Sequence, residues 1–424
     1  MNHHLTTVCM AALSLGIPLV ASAEEKTFVA AMAVNALGLD LLAKGTEANA
    51  NALLSPYSIQ SALAMTYAGA DGDTHAQMAK TLHFPQDESV LHQSFADLQQ
   101  ALDDVAKSTT ERAKNAAQEG GPGEPVMLTV ANRLFGQQGY EFRQPFLEVV
   151  RDCYKAPFQA MDFIHNADKE RLKINGWVEE QTHQRIRDLI PAQGLGSDTR
   201  LVLVNAIYMK APWAVEFPVG ITKPLAFHVK GTASLNVPTM SRQAFMGYVK
   251  RDGYQFITVP YFGNAVQLLV LLPDTKDGLA TMEAKLTPEI LSGCANPNTA
   301  KVVLFLPKFK LEPPLFKLSK VMQTLGMASA FDKPKGSANF DRMAPRHADE
   351  YLYISEVFHK TFLTLDEKGT EAAAATAVVM AMATAMREPP KPPIEVRVDR
   401  PFLFAIQHRP SGACLFIGRI TDPR

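Results

Sequence analysis

A chain of 424 residues, 47% hydrophobic and 20% charged, is long enough for one large core and too apolar to be disordered as a whole. Its net charge of -1 gives no global attraction to nucleic acid or anionic lipid. Four cysteines are too few for a disulfide framework.

In chain order, the first feature is an apolar run, VCMAALSLGIPLVASA, ending in the small-x-small pattern Ala21-Ser22-Ala23. It is too short to cross a membrane, and no later stretch reaches that length without charges. The pattern predicts a signal peptide over residues 1–23, cut before Glu24, and therefore a secreted or periplasmic mature chain. His3 and His4 stand where Lys or Arg is usual, and a buried N-terminal helix is the competing reading. Cys9 is too near the start to look like a usual lipoprotein acceptor. Cleavage leaves Cys153, Cys294 and Cys414, which allow one disulfide plus a free thiol, or three buried thiols.

Lys26 to Leu42 has helical spacing of apolar residues. NALLSPYSIQSALAMTYAGA reads as a short strand, a turn at Ser55-Pro56 and an apolar helix. Ala101 to Glu124 reads as an exposed helix and a loose loop, VMLTVANRLFGQ as a strand, and DKERLKINGWVEEQTHQRIRDLI as a charged surface helix. The second half turns to strands: TRLVLVNAIYMKAPW, YQFITVPYF, AVQLLVLLP, AKVVLFLPKFKLE, HKTFLTLDE, PFLFAIQH and CLFIGRIT. Helices early and strands late, with little βαβ alternation, predict an α+β fold with large mixed sheets in one domain. No linker and no internal repeat interrupts the pattern.

Chemistry is sparse. The chain has no HExxH, CxxC, GxSxG or phosphate loop. HVKGTASLNVPTMSRQ puts Ser near His, but no spacing specifies a triad, so a hydrolase has no nominated nucleophile. No metal or cofactor is expected.

DEKGTEAAAATAVVMAMATAMREPPKPP, Asp366 to Pro393, stands apart. By propensity it is an Ala-rich helix stopped by Pro389 and Pro390. At period two, one face carries Thr370, Ala372, Ala374, Thr376 and Val378, all uncharged. That face can be buried between strands without stranding an ion, and Gly369 supplies a backbone pivot. Helix, exposed loop and inserted strand all remain open on propensity.

EKGTEAAAATA resembles the proximal hinge of the serpins, the serine-protease-inhibitor superfamily. ANALLSPYSIQSALAMTYAGADGDTHAQMAKTLHF, LVNAIYMKAPWAVEF, ISEVFHKTFLTLDEKGTEAAAA and PFLFAIQHRPSGACLFIGRITDP resemble further serpin segments. The likeness runs from about Thr27 to Pro423. It implies a single α+β domain (residues 24–424) of three β-sheets and about nine helices, with an exposed reactive-centre loop at about 367–393. It implies a metastable suicide substrate whose cut loop inserts into the central sheet and traps a serine protease, or a cysteine protease, as the acyl-enzyme. The alternative within the family is a non-inhibitory binding or storage protein.

Carried over by position, the hinge comprises Glu367, Gly369, Thr370, Glu371, Ala372, Ala373, Ala374, Ala375 and Thr376. Lys308 and Glu367 match an ion pair at the top of the sheet (the breach), with Trp213 beside it. Ser55, Ser58, Asn205 and His359 match a hydrogen-bonded cluster beneath the strands that part (the shutter). Family loop length places the scissile bond at Ala383-Thr384; other registers make Met382, Met386 or Arg387 the bait. Ala383 suits an elastase- or subtilisin-like partner and Arg387 a trypsin-like one. The loop is several residues longer than is common, and Pro389, Pro390, Pro392 and Pro393 stiffen its distal side. No basic face near 101–118 supports a heparin-type activator. The expected protein is a monomer without nucleic-acid or membrane partners.

Overall fold

The computed structural model describes residues 23–118, 124–230, 233–347, 350–371 and 392–424. The first half carries α1 (Ala23–Gly45), β1 (Ala52–Leu54), α2 (Pro56–Tyr67), α3 (Gly72–Thr81) and α4 (Glu88–Gln118). β2 (Met127–Gln137), α5 (Gln144–Tyr154), β3 (Phe158–Met161) and α6 (Phe163–Gln181) follow. The second half begins with β4 (Leu201–Pro212), β5 (Lys223–Lys230), β6 (Ala233–Arg251), β7 (Tyr254–Pro260) and β8 (Val266–Pro273). Next come α7 (Leu279–Glu283), α8 (Pro288–Gly293), β9 (Thr299–Pro307), β10 (Phe309–Leu311), β11 (Phe316–Lys317) and α9 (Ser319–Leu325). The chain ends with β12 (Phe358–His359), β13 (Leu363–Leu365), β14 (Gly369–Thr370), β15 (Ile394–Arg397), β16 (Phe402–His408) and β17 (Ala413–Ile420).

These strands make three sheets in an α+β fold with nine α-helices among the described residues. The six-stranded central sheet has the order β10-β13-β14-β4-β2-β3, and β11–β12 form a separate two-stranded sheet. The long β6 runs through a nine-stranded sheet. Its first part pairs with β5 and β9, with β15 beyond; its end, Gly247–Arg251, pairs with β7 and so joins β8, β16, β17 and β1. β8, β16 and β17 are buried along their whole length, which is why they read as unbroken apolar runs.

Local chemistry sets the helix that underlies the central sheet. Ser55 caps α2 by accepting a hydrogen bond from the Ser58 amide, and Pro56 supplies the preset first helical residue. On the opposite face, α6 lies across the sheet. Its Phe163, Ile174 and Val178 pack on Ala131 and Phe135 of β2 and on Val204 and Ala206 of β4. The central sheet is thus sandwiched, with α2 and the main core below and α6 above.

Several sequence expectations change. α4 begins at Glu88, and it is only half exposed: Leu102, Val105, Thr109 and Ala113 form a buried stripe at helical spacing. α6 ends at Gln181 and does not continue to Ile190. Thr182 Oγ1 accepts from the Ile186 amide, and His183, Gln184 and Asp188 take left-handed backbone, so the segment becomes a string of turns. Cys153, Cys294 and Cys414 are all free; Cys153 is half-buried and the other two are buried, so the disulfide option is not realised. The Ser/His stretch is the β5–β6 hairpin, with His228 opposite Ser234. The helix Phe28–Gly45 is long and apolar enough to span a membrane, but Ala30, Val34, Leu37 and Leu41 are buried in the main core.

Candidate functional site

The central sheet is parted. β4 pairs with β2 from Leu201 to Lys210, while among the described residues its other edge is paired only at Ala211 and Pro212, by β14. Below that point a cleft of about 370 Å³ opens between Leu201–Asn205 on one lip and Tyr351–His359 on the other, floored by Ser58 and Leu63 of α2. At its far end Arg200 pairs with Glu350 and lies 5.9 Å over the ring of Tyr140.

The upper end is filled by the hinge. The Asp366 amide donates to the Gly369 carbonyl at 3.0 Å, closing a tight turn that sends the chain back between the lips. Thr370 pairs with Leu365 of β13 and Ala211 of β4. Gly369 is required here, because a Cβ would stand 2.0 Å from the Ala211 carbonyl oxygen. Thr370 is 1% exposed, and its hydroxyl lies 2.5 Å from that of Tyr261. Tyr261 stacks on Trp213 at 4.5 Å, and Trp213 donates from Nε1 to the Asp366 carbonyl at 2.9 Å. Trp213 and Phe217 also donate backbone N–H bonds of 2.8 Å to the Lys368 and Glu367 carbonyls. The hinge turn is therefore moored on both sides.

Lys308 Nζ lies 2.7 Å from Glu367, whose side chain is nearly buried. Burial works to raise the Glu367 carboxyl, but the hydrogen bond from Lys308, further hydrogen bonds and the ammonium charge outweigh it and leave it below the ordinary value. The pair ties β13's exit to the end of β9, across the hinge turn.

Beneath the cleft, Ser55 donates from Oγ to the Leu415 carbonyl at 2.7 Å, and its amide donates to His359 Nε2 at 3.1 Å. Ser58 Oγ donates to the Asn205 carbonyl at 3.3 Å. Asn205 Nδ2 bonds Asn132 Oδ1, while Asn205 Oδ1 is buried without a partner. His359 is fully buried, and burial pulls its pKa down to about 4. It is held neutral, as an acceptor.

Thus the structure brings Trp213, Lys308, Glu367, Gly369 and Thr370 together at the mouth, with Glu371 just beyond, and Ser55, Ser58, Asn205 and His359 together on the floor. Ala372–Thr376, Met382–Thr384, Met386 and Arg387 lie outside the described residues, as do residues 1–22 of the expected signal peptide. Sequence reasoning did not single out Tyr261, Arg185, Arg200 or Glu350. Each sits in an ordinary strand, turn or connecting segment, and only the tertiary fold brings it to the cleft.

A parted six-stranded sheet with a hairpin started in its gap is the frame of an insertion device, not of a catalytic pocket. The family profile described as serpin (serine protease inhibitor) matches residues 32–423. An uncharacterised serpin-like protein of Thermococcus kodakarensis is 35% identical, over 95% of this chain and 87% of that one. The leukocyte elastase inhibitor of Bos taurus is 36% identical over 91% and 97%. Among solved structures, cleaved Serpin 42Da superposes with a TM-score of 0.78 at 31% identity, covering 95% of this chain and 100% of that one. Uncleaved ovalbumin superposes at 0.74 and 26%, covering 94% and 100%. The chain belongs to the serpin family, a family of non-catalytic proteins. Its fold and relatives accord with the family's general mechanism, insertion of the reactive-centre loop into the central sheet.

Two expectations follow from the site. Like His359, His92 and His408 are held by burial at a pKa of about 4. An unfolded histidine titrates near 6.5, so between those values the unfolded chain binds more protons. The melting temperature should therefore fall as pH drops from about 6.5 to about 4. His359→Gln should flatten part of that slope; an unaltered pH profile in the variant would show that His359 is not a contributor. Second, Gly369→Ala should expel the hinge from the sheet, since the new methyl cannot coexist with the Ala211 carbonyl. Loss of the Thr370 pairings should cost roughly 2–4 kcal/mol. Fluorescence quenching of Trp213 reports it, and quenching identical to the parent protein would refute the steric argument.

Proposed function

We propose that the protein is an irreversible suicide-substrate inhibitor of serine proteases, secreted after removal of residues 1–23 and acting as a single monomeric domain. The observation that carries this reading is the cleft and its register. Thr370 already pairs with Ala211 and Leu365. Carried down antiparallel, the same register sets Ala372 opposite Met209, Ala374 opposite Ile207 and Thr376 between Asn205 and His359. Thr376 would then bring a hydroxyl to the orphan Asn205 Oδ1. On the other face, Ala373 would fall between Tyr208 and Phe362 and Ala375 opposite Ala206. The only charge on the inserting strand, Glu371, is at the mouth.

Energetics support the same reading. A ladder hydrogen bond nets about 1 kcal/mol, so pairing about ten more residues on both edges gains on the order of 10 kcal/mol or more. That is enough to carry an acylated protease to the opposite pole. The relation to a leukocyte elastase inhibitor supports a serine protease as partner. Lys308, Glu367 and Trp213 act here as the fastening of the mouth, and Ser55, Ser58, Asn205 and His359 as the polar floor that re-pairs when the strand arrives.

The register also bears on the bait. Met380 would lie opposite Leu201, the last paired residue of β4. A cut after Ala383 leaves three residues beyond it, about 10 Å of tether, whereas a cut after Arg387 leaves seven, about 23 Å. The shorter tether presses the protease against the pole; the longer one leaves it slack. Ala383 therefore serves as the trapping bait, for an elastase- or subtilisin-like enzyme with a small apolar pocket.

Thr370→Arg forces a cation into the site against Tyr261, at a cost of several kcal/mol. The variant should be cleaved without forming the covalent complex seen on denaturing gels with the parent protein. Full complex yield from this variant would refute insertion, and cleavage without any complex from the parent would leave a non-inhibitory binding or storage protein. The C-terminal fragment released from a stable complex should begin at Thr384. A fragment beginning at Glu388 would place the bait at Arg387.

A further inference from the structure

After α6 stops at Gln181, residues 182–188 cross the mouth of the cleft on its outer face and touch both lips. The His183 ring lies 4.6 Å from that of Tyr208 on β4. On the other lip, Lys360 Nζ donates to the Arg187 carbonyl at 2.7 Å. Between these feet, the Arg185 guanidinium sits 5.1 Å over the Phe362 ring and pairs through Nε with the carboxylate of Glu371.

Strand β14 ends at Thr370. The Glu371 amide still donates to the Thr364 carbonyl at 3.0 Å, but its φ of +53° departs from strand backbone. Left-handed backbone is unfavourable for a glutamate. The lips are already one strand apart at this level, since β14 lies between β13 and β4. Space is therefore not what halts the strand at Thr370. The halt is the turn at residue 371, and the contact positioned to hold that turn is the pair with Arg185, whose partner carboxylate is only 11% exposed.

We infer that Arg185 is a positioning residue for loop insertion: by fixing Glu371 in its left-handed conformation, it stops the uncut loop from zippering past Thr370. The inference rests on the insertion reading above. Cutting the loop frees its far end, and pairing along about ten residues then outweighs one partly exposed ion pair. Arg185 would thereby separate slow spontaneous insertion from fast insertion after cleavage.

The test follows the intact protein during incubation below its melting temperature. Residual protease trapping, the melting temperature and the intact mass are measured over time. Arg185→Ala and Glu371→Gln should convert to an uncut, inactive, more heat-stable monomer roughly two- to fivefold faster than the parent, the factor an ion pair of this exposure supplies. Arg185→Lys, which keeps the charge, should convert more slowly than Arg185→Ala. The association rate of Arg185→Ala with the protease at time zero should not move, since Arg185 lies outside both the hinge and the bait; Glu371→Gln, a hinge variant, is read by its conversion rate. If Arg185→Ala misfolds, shown by a lowered melting temperature and no trapping at time zero, Glu371→Gln carries the test alone. Variants that trap normally at time zero and convert at the parent rate overturn the inference. If the parent neither traps protease nor gains heat stability when its loop is cut, the insertion reading fails and this inference fails with it.

Discussion

One open strand edge governs this molecule. From Leu201 to Lys210, β4 has hydrogen-bonded partners on one side only among the described residues. Backbone N–H and C=O groups facing a cleft are a standing demand for a strand. Everything else around the central sheet either keeps that demand unmet or determines what finally meets it. The fold does not close the gap by bringing its own lips together, because Gly369 and Thr370 already wedge the upper end.

The devices that hold this arrangement are individually small. Lys308–Glu367 and Arg185–Glu371 are partly exposed pairs at the mouth, and Arg200–Glu350 lies at the far end. Pairs of that kind contribute about 1 kcal/mol or less each. They can slow a process driven by many ladder hydrogen bonds, but they cannot oppose it once a free strand end is available. That ordering of magnitudes is what a single-use trap needs: weak fastenings in the intact chain and a large gain after one bond is cut. The polar floor obeys a stricter rule. Ser55, Ser58 and His359 are each bonded, while Asn205, the residue that the proposed register sets opposite Thr376, keeps an orphan acceptor. A buried polar group is costly unless it is paired, so its position favours the inserted strand over an empty cleft.

Much of this was legible in the sequence because it rests on local rules. The burial of Thr370, the Ser55-Pro56 helix start and the unbroken apolar strands need only alternation, capping and hydrophobicity. The fold class followed from helices early and strands late. What stayed hidden depends on long-range contact. Tyr261 reads as the end of a strand, yet its hydroxyl meets Thr370, more than a hundred residues away. Arg185 reads as one more charge on an amphipathic helix. It leaves that helix only because Thr182 caps the turn and His183 and Gln184 adopt left-handed backbone, which composition did not announce. The half-buried face of α4 was similarly masked by its many charges.

The composition of the loop divides along the same physical line. In the proposed register, a strand entering beneath α6 would lie beside Val204 and Ala206, and the side chains it brings to that face would be Ala373, Ala375 and Ala377. In the proposed register its lower face would meet Met209, Ile207 and then Asn205 with Ala372, Ala374 and Thr376: apolar against apolar, hydroxyl against amide. Beyond Met380, the last residue that register would set against β4, the uncharged run continues to Met386, and Arg387, Glu388 and four prolines follow. Proline cannot donate to a ladder and is excluded from a central strand. Under that register the four prolines would fall outside the length that β4 can pair.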